Sequence, residues 1–485
     1  MPALGSKMRI DGFFTRTDPK HTIDEEDLAD LTSDQRRVVQ NVLSLGNTLM
    51  HGPAGTGKSM TLKRLVNVLT DRSIRYALTA MTGAAAVGIG GGTVHAFFKG
   101  CGLMTGTPTE LARKLNKNIL TRTRIRDLQV FIVDEISMMD GKFMDLIDEI
   151  FQIMRKNTEP FGGVAVLFCG DFYQLPPVSA GDGGGQFAFE SQCWPKLHLT
   201  TVELGHVFRQ DSDEFISILQ RVRVGKQTLE DLSVLQLCTK TDLVDSELPN
   251  EITPTSLFAT NGGADAVNTR ELKSLVNENK ASLRTFEATV SVVEMKTISE
   301  EGTKELFRSA LNVAKHAPCP QTLELCLNAQ VMLRTNLDIK GGLANGSRGV
   351  VMGFNRNSGF PQVMFVNGSC RTILPHEYIH KYPGGDVVFA QVPLILAWAM
   401  TIHKSQGATL DAASLDFKGI RTDGQAYVAL SRLRSMKYLN IKNFNPRVIK
   451  ANTKVCEQFP VANQGHAVDD APITRGRKRK KQDSE

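Results

Sequence analysis

One segment of the chain combines glycines, a lysine and a serine in a spacing that could hold phosphate groups. It fits the pattern GxxxxGK[ST] and consists of Gly52, Pro53, Ala54, Gly55, Thr56, Gly57, Lys58 and Ser59. Glycines let backbone N–H groups surround an anion, and the start of a following helix adds positive potential. Lys58 would reach the terminal phosphates, and the Ser59 hydroxyl would ligate Mg²⁺. A glycine-rich connector is the alternative, but the apolar run before the segment and the amphipathic pattern after it favour a nucleotide site.

Two further segments place carboxylates and an amide directly after apolar runs. Asp134 and Glu135 follow the run 130–133, and Gln174 lies in GDFYQLPP after the run 164–169. Asp134 would hold Mg²⁺ and Glu135 would orient and deprotonate an attacking water, which indicates hydrolysis. Adjacent carboxylates at a strand end are also commonly just solvated. Gln174 could sense the γ-phosphate or the water, although a turn fixed by the two following prolines would use the same residues.

These residues need a scaffold, and the apolar pattern predicts an α/β fold. Short continuous apolar runs at 48–50, 76–79, 130–133 and 164–169 alternate with helical periodicity. Such strands are typical of a parallel sheet covered by helices on both faces, with ligands at the carboxyl ends of the strands. Runs at 255–260, 394–401 and 427–430 predict a second, similar sheet. Between them, residues 343–370 carry two Asn-Gly dipeptides and one Asn-Ser-Gly, which indicate tight hairpins and a small β-barrel.

Length and composition fit a soluble protein of several folded units. The 485 residues correspond to about three domains at roughly 150 residues each. The hydrophobic share is 41% and the mean hydropathy is −0.16. The apolar runs are far shorter than the roughly 20 residues of a membrane-spanning helix, so no membrane partner is expected. The eight cysteines lack CxxC spacing, which disfavours a zinc site.

The net charge of +6 comes from one short run near the end of the sequence. Arg475–Lys481 contains six of the 57 basic residues, and the remaining 51 balance the 51 acidic ones. Such a run is typical of a nuclear-import signal that binds an import receptor, which predicts a nuclear location. Nonspecific DNA contact and a solvated tail are the alternatives.

Motifs spread from Leu31 to about Leu439 together resemble the Pif-type (petite integration frequency) DNA helicases of superfamily 1B. The matching segments are LTSDQ, HGPAGTGKS, LTAMTGAAA, GGTVHAFFKG, FIVDEISMMD, PFGGVAVLFCGDFYQLPPV, HVFRQ, NAQVMLRTN, LANGSRGVV, MTIHKSQGATLD and AYVALSRLRSMKYL. The resemblance implies two RecA-like P-loop domains that share one ATP in their cleft. It also implies ATP-dependent 5′-to-3′ movement on single-stranded and forked DNA, in replication, repair, recombination or telomere maintenance.

The resemblance also divides the chain into domains. A disordered arm would span 1–30, and the first RecA-like domain 31–205, with a small wedge insertion near 95–120. The second RecA-like domain would comprise 206–300 and 386–455. An inserted SH3-like β-barrel would span 301–385, and a disordered basic tail 456–485.

Further site residues follow from the same resemblance. Gln35 of LTSDQ would read adenine, although its spacing from Thr32 also fits a capping box at a helix start. Arg209 and Arg432 would reach the terminal phosphates and stabilise the charge that develops on the transferred group. A surface salt bridge is the alternative for either arginine.

The resemblance implies that three segments of the chain contact the DNA strand. Their hydroxyls, imidazoles and amines would grip phosphates without reading bases, and an aromatic ring could stack on a base or pry at the fork. The alternatives are structural hydrogen bonds for the histidines and ordinary core for the phenylalanine. The predicted DNA contacts are Thr82, Thr93, His95, Phe98, Thr401, His403 and Lys404.

Near the N-terminus, Lys7, Ile10, Phe13 and Phe14 resemble the sliding-clamp (PCNA) interaction box, with Lys7 in place of the usual glutamine. In one helical turn the three apolar side chains would project to one side. An arm that packs on its own body is the alternative.

Two other functions remain open from the sequence. One is a non-unwinding translocase or remodeller that acts on RNA or on protein-bound strands. The other is a clamp-binding scaffold without catalysis, which the intact set of nucleotide-site residues argues against.

Overall fold

The computed structural model describes residues 28–98, 106–177, 185–241, 243, 253–279, 282–294, 300–315, 317–335, 337–338, 341, 343, 346–382 and 385–461. The predicted clamp-binding residues Lys7, Ile10, Phe13 and Phe14 and the basic run 475–481 lie outside these residues. Both interpretations therefore stay predictions.

A six-stranded parallel sheet forms the first α/β unit. Its strands are β1 Thr48–His51, β2 Tyr76–Ala80, β3 Gly92–Thr93, β4 Val130–Asp134, β5 Ala165–Gly170 and β6 Thr200–Glu203. Their order is β3-β2-β4-β5-β1-β6, and the strands run parallel. The strands predicted at 48–50, 76–79, 130–133 and 164–169 are confirmed. Because β4, β5 and β1 are neighbours, their carboxyl ends bring the acidic pair, the Gln174 segment and the glycine-rich segment together.

Several of the described helices accompany this sheet. They are α1 Ser33–Leu43, α2 Lys58–Asp71, α3 Gly83–Ile89, α4 Val94–Phe97, α5 Pro108–Lys117, α6 Ile119–Asp127 and α7 Gly141–Arg155. Phe131 and Val133 of β4 pack in one core with α5 and α7, whereas Val130 and Ile132 pack in the opposite core with α1 and α2. Side chains along β4 therefore alternate between two hydrophobic cores, one on each face of the sheet. This explains why the strand is apolar throughout.

Most of the remaining described elements complete a second sheet and an insertion. The strands are β7 Thr255–Phe258, β8 Arg284–Glu287, β9 Thr289–Glu294, β10 Thr322–Leu325, β11 Gln330–Leu333, β12 Arg348–Phe354, β13 Pro361–Phe365, β14 Cys370–Thr372, β15 His376–Tyr382, β16 Gly385–Gln391, β17 Leu394–Leu396, β18 Ala399–Thr401, β19 Ala413–Asp416 and β20 Leu439–Lys442. The helices are α8 Asp213–Arg223, α9 Leu229–Leu237, α10 Asn261–Asn279, α11 Glu300–Lys315, α12 Ile402–Ser405, α13 Gln425–Leu430 and α14 Thr453–Gln458. Among the described helices, none combines the length and apolar character that a bilayer crossing requires.

The second α/β unit is built on a four-stranded parallel sheet of order β18-β7-β19-β20. Leu257 of β7 and Leu415 of β19 share a core with Phe215 and Leu219 of α8. Val428 of α13 lies in the same core. α8 therefore belongs to the second unit, although it precedes the first strand of that sheet.

The apolar run 427–430, predicted as a strand, is a helix. All six residues of α13 are buried, so the run shows neither helical nor strand periodicity, and its length alone cannot separate the two. Gly424 begins the helix in the left-handed conformation with φ of 75°. The strand prediction for 427–430 was wrong, and β19 and β20 complete the sheet instead.

Between β7 and β18 the described strands are antiparallel. They form a five-stranded sheet of order β14-β13-β12-β11-β17, a three-stranded sheet β15-β16-β9 and a pair β8 and β10. The predicted hairpins are present as β12–β13 and β13–β14. A closed SH3-like barrel is not confirmed, and the predicted domain boundaries stay predictions.

Two segments predicted as disordered ends pack against the first α/β unit. Leu28 is buried in the core beneath α1 and α2. At the other end, Cys456, Phe459 and Val461 of the predicted tail pack against the core of the first unit, and the Phe459 ring stacks on Phe172 with centroids 4.8 Å apart. Residues 456–461 therefore form a docked segment rather than part of a disordered tail.

Candidate active site and nucleic-acid groove

The glycine-rich segment 52–59, the phosphate loop, connects β1 to the start of α2. Gly55 and Gly57 have φ of 86° and 83°, values that favour glycine. A Cβ at Gly55 would lie 2.7 Å from the Arg209 Cβ, and one at Gly57 would lie 2.7 Å from the Gln35 Nε2. The loop is therefore closely packed against both predicted site residues. Its position before a helix of 14 residues is the arrangement that binds phosphate through backbone N–H groups.

Lys58 lies within this loop. Its ammonium donates to the carbonyl oxygens of Gly52 and Pro53, both at 2.8 Å. Burial lowers the pKa of Lys58 below its ordinary value. Within the described part of the chain, the hydrogen bonds of this partly buried cation go to carbonyl oxygens of its own loop. Such a cation is electrostatically suited to an incoming anion.

The predicted acidic pair lies at the carboxyl end of β4. Glu135 has φ of 56° and ψ of 46°, a left-handed conformation that is strained for a non-glycine residue. Its N–H donates to the Asp134 Oδ1 at 3.0 Å. Burial raises the pKa of Asp134. Burial, reinforced by the neighbouring Asp134 charge, raises the pKa of Glu135 to about 7.

Gln406 of the second unit contacts this pair. Its Nε2 donates to the Glu135 Oε2 at 2.8 Å. Gln406 lies five residues after Thr401 in the same MTIHKSQG segment. The sequence prediction drew only DNA contacts from this segment and missed Gln406.

Gln174 lies in the sensor loop, residues 171–177, which follows β5. Its Nε2 donates to the Asp171 Oδ2 at 3.3 Å. Asp171 is buried and forms a 2.9 Å ion pair with Arg223 at the end of α8. The turn alternative is also observed, since the Gln174 N–H donates to the Asp171 carbonyl oxygen at 2.9 Å. The loop thus contains a turn, and the Asp171 carboxylate holds the Gln174 amide. The sensing role stays a prediction.

Both predicted phosphate-contacting arginines lie at the cleft, without carboxylate partners. Arg432 is 2% exposed, and its guanidinium donates to the Val428 carbonyl oxygen and the Ser431 hydroxyl. Arg209 donates to the Ser431 carbonyl oxygen at 3.0 Å. Burial lowers the pKa of both arginines, that of Arg209 to about 9, and the nearby Arg432 charge lowers the pKa of Arg209 further. Among the described residues neither forms an ion pair, so the surface salt-bridge alternative is wrong.

Tyr427 is another site residue that sequence reasoning missed. Its hydroxyl accepts a hydrogen bond of 2.9 Å from the Ala54 N–H of the phosphate loop. Burial raises the pKa of Tyr427 to about 12. Because Tyr427 is on α13, this bond joins the second unit to the phosphate loop.

Gln35 forms the predicted capping box. The Thr32 N–H donates to the Gln35 Oε1 at 3.1 Å, and the Gln35 N–H donates to the Thr32 hydroxyl at 3.3 Å. The Gln35 Nε2 donates to the Thr56 carbonyl oxygen of the phosphate loop at 3.2 Å. The capping alternative is confirmed, and recognition of adenine stays a prediction.

A groove of about 1600 Å³ lies between the two units and the insertion. Thr93, Thr401 and Lys404, three of the predicted DNA contacts, line it. Thr93 and Thr401 each cap a short helix, accepting from Ala96 N–H at 3.1 Å and Lys404 N–H at 3.2 Å. These threonines therefore hold the backbone at the groove wall.

The other predicted DNA contacts lie beside the groove. The Thr82 hydroxyl accepts from the Ala85 N–H at 3.2 Å, and the adjacent Gly83 lines the groove. The exposed His95 stacks on Phe143 with centroids 4.7 Å apart, and this packing lowers its pKa. His403 is exposed, although partial desolvation lowers its pKa.

Phe98 is part of the hydrophobic core. It is 1% exposed and contacts Phe131 and Phe151 edge to face, with centroids 6.3 Å and 5.6 Å apart. A ring enclosed in this way cannot stack on a base. The assignment of Phe98 to DNA was wrong, and the core alternative is confirmed.

We expect Phe98→Ala to lower the free energy of unfolding by about 3–5 kcal/mol, because it leaves a cavity among aromatic rings. Chemical denaturation of both proteins measures this loss, with affinity for single-stranded DNA determined under conditions where both are folded. Unchanged stability together with weakened DNA binding would restore Phe98 to the groove.

Comparison with known proteins gives consistent matches over most of the chain. The profile of the PIF1-like helicase family matches residues 30–232, and that of the DNA helicase Pif1 2B domain matches residues 307–354. The ATP-dependent DNA helicase PIF1 of Danio rerio is 38% identical over 88% of this chain and 63% of its own length. The chain thus spans less than two thirds of that relative.

The chain covers a larger share of the solved structures that it matches than of the Danio rerio relative. The crystal structure of Pif1 helicase from Candida albicans is 33% identical, with a TM-score of 0.72, covering 88% of this chain and 98% of that one. Pif1 helicase from Bacteroides in complex with ADP-AlF3 and ssDNA is 26% identical, with a TM-score of 0.62, covering 88% and 96%. By sequence and fold, the chain belongs to the PIF1-like helicase family.

Proposed function

We propose that this protein is an ATP-dependent DNA helicase that moves 5′ to 3′ on single-stranded DNA and unwinds duplexes. The observation that carries this proposal is the convergence at one cleft of the phosphate loop, the acidic pair, the buried Arg432 and the partly buried Arg209. Among the described residues, neither arginine forms an ion pair with a carboxylate. Unpaired buried guanidinium groups are costly, and an anion between the units would neutralise them. The polarity rests on the family resemblance alone.

The residues present fit Mg²⁺ as the accompanying ion. Carboxylate and hydroxyl oxygens are ligands that Mg²⁺ accepts together with phosphate oxygens. Asp134 would hold the ion, and the hydroxyl of Ser59, at the start of α2, would be its second protein ligand. Asp134 is buried, and a nearby cation would favour its charged form. When bound, the ion would neutralise charge on the phosphates.

The chain's own residues would then perform hydrolysis as follows. Glu135 would accept a proton from the attacking water, and its raised pKa suits a group that takes up a proton near neutral pH. Lys58 would leave its carbonyl partners for the terminal phosphates. Arg432 and Arg209 would turn from Ser431 toward the charge on the transferred group, which requires the two units to close.

One short segment couples this chemistry to the DNA groove. Thr401 and Lys404 line the groove, while Gln406 donates to the Glu135 carboxylate. A bound DNA strand that shifts α12 would therefore move Gln406, the hydrogen-bond partner of the proposed general base. We infer that alternate closing and opening of the units moves the groove contacts relative to each other and produces a step.

The neighbours in the family support DNA as the substrate. The Bacteroides relative is described in complex with ssDNA, and another solved structure concerns unwinding at forked dsDNA by two coordinating Pif1 helicases. In this chain the groove's Lys404 and helix-capping threonines would contact phosphates without reading bases.

A strand-displacement assay on forked DNA and forked RNA tests this function, with Lys58→Ala as the paired variant. We expect wild-type protein to unwind forked DNA with ATP and the variant to fail. Unwinding that survives Lys58→Ala would overturn the ATP mechanism. Movement without duplex opening, or activity on RNA alone, would favour the translocase or remodeller.

We further propose recruitment to replication or repair in the nucleus. This interpretation rests on the clamp-like box at Lys7, Ile10, Phe13 and Phe14 and on the basic run 475–481. A peptide of residues 1–20 should bind PCNA, and Phe13→Ala with Phe14→Ala should abolish binding. Equal binding by both peptides would remove the clamp proposal, and a reporter that stays cytoplasmic with residues 462–485 attached would remove the import proposal.

A further inference from the structure

Arg223 joins the core of the second α/β unit to the sensor loop of the first. It is the last residue of α8, whose Phe215 and Leu219 are buried in the second core. The side chain of Arg223 is 3% exposed and crosses to Asp171, the first residue of the sensor loop. Its Nη2 lies 2.9 Å from the Asp171 Oδ1, and its Nε lies 3.2 Å from both carboxylate oxygens. A guanidinium fork in this geometry fixes the carboxylate in direction as well as in position.

Asp171 in turn organises the sensor loop. Its Oδ1 accepts from the Tyr173 N–H at 3.2 Å, and its Oδ2 accepts from the Gln174 Nε2 at 3.3 Å. The Arg223 guanidinium also lies over the Tyr173 ring, 4.6 Å from the centroid. The orientation of the Gln174 amide therefore depends on a carboxylate that a residue of the other unit holds.

The ion pair stays charged in its buried position. Burial opposes ionisation of both groups, but their mutual attraction outweighs it, so the pKa of Asp171 is lowered and that of Arg223 is raised. Glu203, at the end of β6, lies 3.8 Å from the Arg223 Nη1 and supports the same charge. A buried pair of this kind holds its geometry, since moving either partner leaves the other uncompensated.

We propose that Arg223 is a positioning residue for ATP hydrolysis, acting through Asp171 to set the orientation of Gln174 and so to report the position of the second unit to the sensor loop. The inference rests on the proposed function. Arg223 would not contact the reacting atoms itself, so replacing it should change kcat more than the apparent affinity for ATP.

The first experiment measures DNA-stimulated ATP hydrolysis by Arg223→Lys. Lysine keeps the charge but cannot form the fork to Asp171. We expect kcat to fall by about 10- to 100-fold, with KM for ATP changed by less than about threefold. The matched control is Arg221→Lys, which disrupts a fork of similar geometry, to Asp231 at 2.6 and 2.7 Å, in the same helix but within the second unit. That control should keep wild-type kcat.

A double-mutant cycle separates positioning from a structural role. If Arg223 acts through Gln174, Arg223→Lys should lower kcat in the wild type but not further in Gln174→Ala. An equal loss of kcat in the wild-type and Gln174→Ala backgrounds would overturn the proposal. So would a loss of kcat that, in both Arg223→Lys and Arg221→Lys, simply follows the drop in thermal midpoint. Wild-type protein without ATP hydrolysis would reject the proposed function itself, whereas active wild type with an unaffected Arg223→Lys would reject only the positioning role.

Discussion

Glu135→Gln should reduce the turnover of ATP by about 10³-fold while leaving nucleotide binding nearly unchanged. Glutamine has nearly the same shape as glutamate, so the neighbouring loop should keep its conformation. The amide cannot take a proton from the attacking water, which removes the proposed base. The expected loss is large because Glu135 is held in a strained left-handed conformation at the end of β4, a geometry that aims the carboxylate at the cleft.

Steady-state hydrolysis with saturating single-stranded DNA measures this effect, together with equilibrium binding of a fluorescent ADP. Glu149→Gln is the matched control, because Glu149 is exposed on α7 of the same unit. The control should behave as wild type. A Glu135→Gln protein that retained more than about a tenth of wild-type kcat would contradict the role of general base.

Arg432→Ala should have an effect of similar size, about 10³-fold or more on kcat. Arg432 is 2% exposed and lies on the second unit, and its guanidinium donates to a carbonyl and a hydroxyl oxygen among the described residues. In the proposed reaction its guanidinium would meet the charge on the transferred phosphoryl group only after the units close. The variant should therefore bind ATP in the first unit but fail to complete hydrolysis.

Arg434→Ala provides the comparison for this variant. Arg434 is exposed and lies 3.7 Å from Asp411 at the surface, where a pair contributes little. Thermal midpoints of both variants show whether the fold persists. A folded Arg432→Ala protein with wild-type kcat would remove the arginine from the catalytic step.

Much of the nucleotide site could be predicted because it is local in sequence. The phosphate loop needs glycines at positive φ directly before a helix, and Asp134 and Glu135 need only the end of a buried apolar strand. The strand order β4-β5-β1 then brings these segments together, as parallel sheets of this class do.

The site residues that sequence reasoning missed are those whose interaction partners lie far away along the chain. Arg223 and Asp171 are 52 residues apart, Gln406 and Glu135 are 271 apart, and Tyr427 contacts Ala54 across 373 residues. No periodicity or spacing encodes such pairs. Tyr427 was further concealed because a fully buried helix of six residues has the same apolar composition as a strand.

Phe98 shows the opposite error. An aromatic residue next to predicted strand contacts is compatible with base stacking, but aromatic side chains also dominate cores. The buried cluster with Phe131 and Phe151 decides between these possibilities, and it depends on where α7 packs rather than on the residues around Phe98.

The most direct test of the central claim is the rate of ATP hydrolysis with and without single-stranded DNA. Because Gln406 connects the groove segment to Glu135, the proposed general base, we expect saturating single strands to raise kcat by at least about tenfold. We also expect this increase to be absent in Lys58→Ala. Hydrolysis at the same rate with and without single strands would contradict the coupling of the two sites.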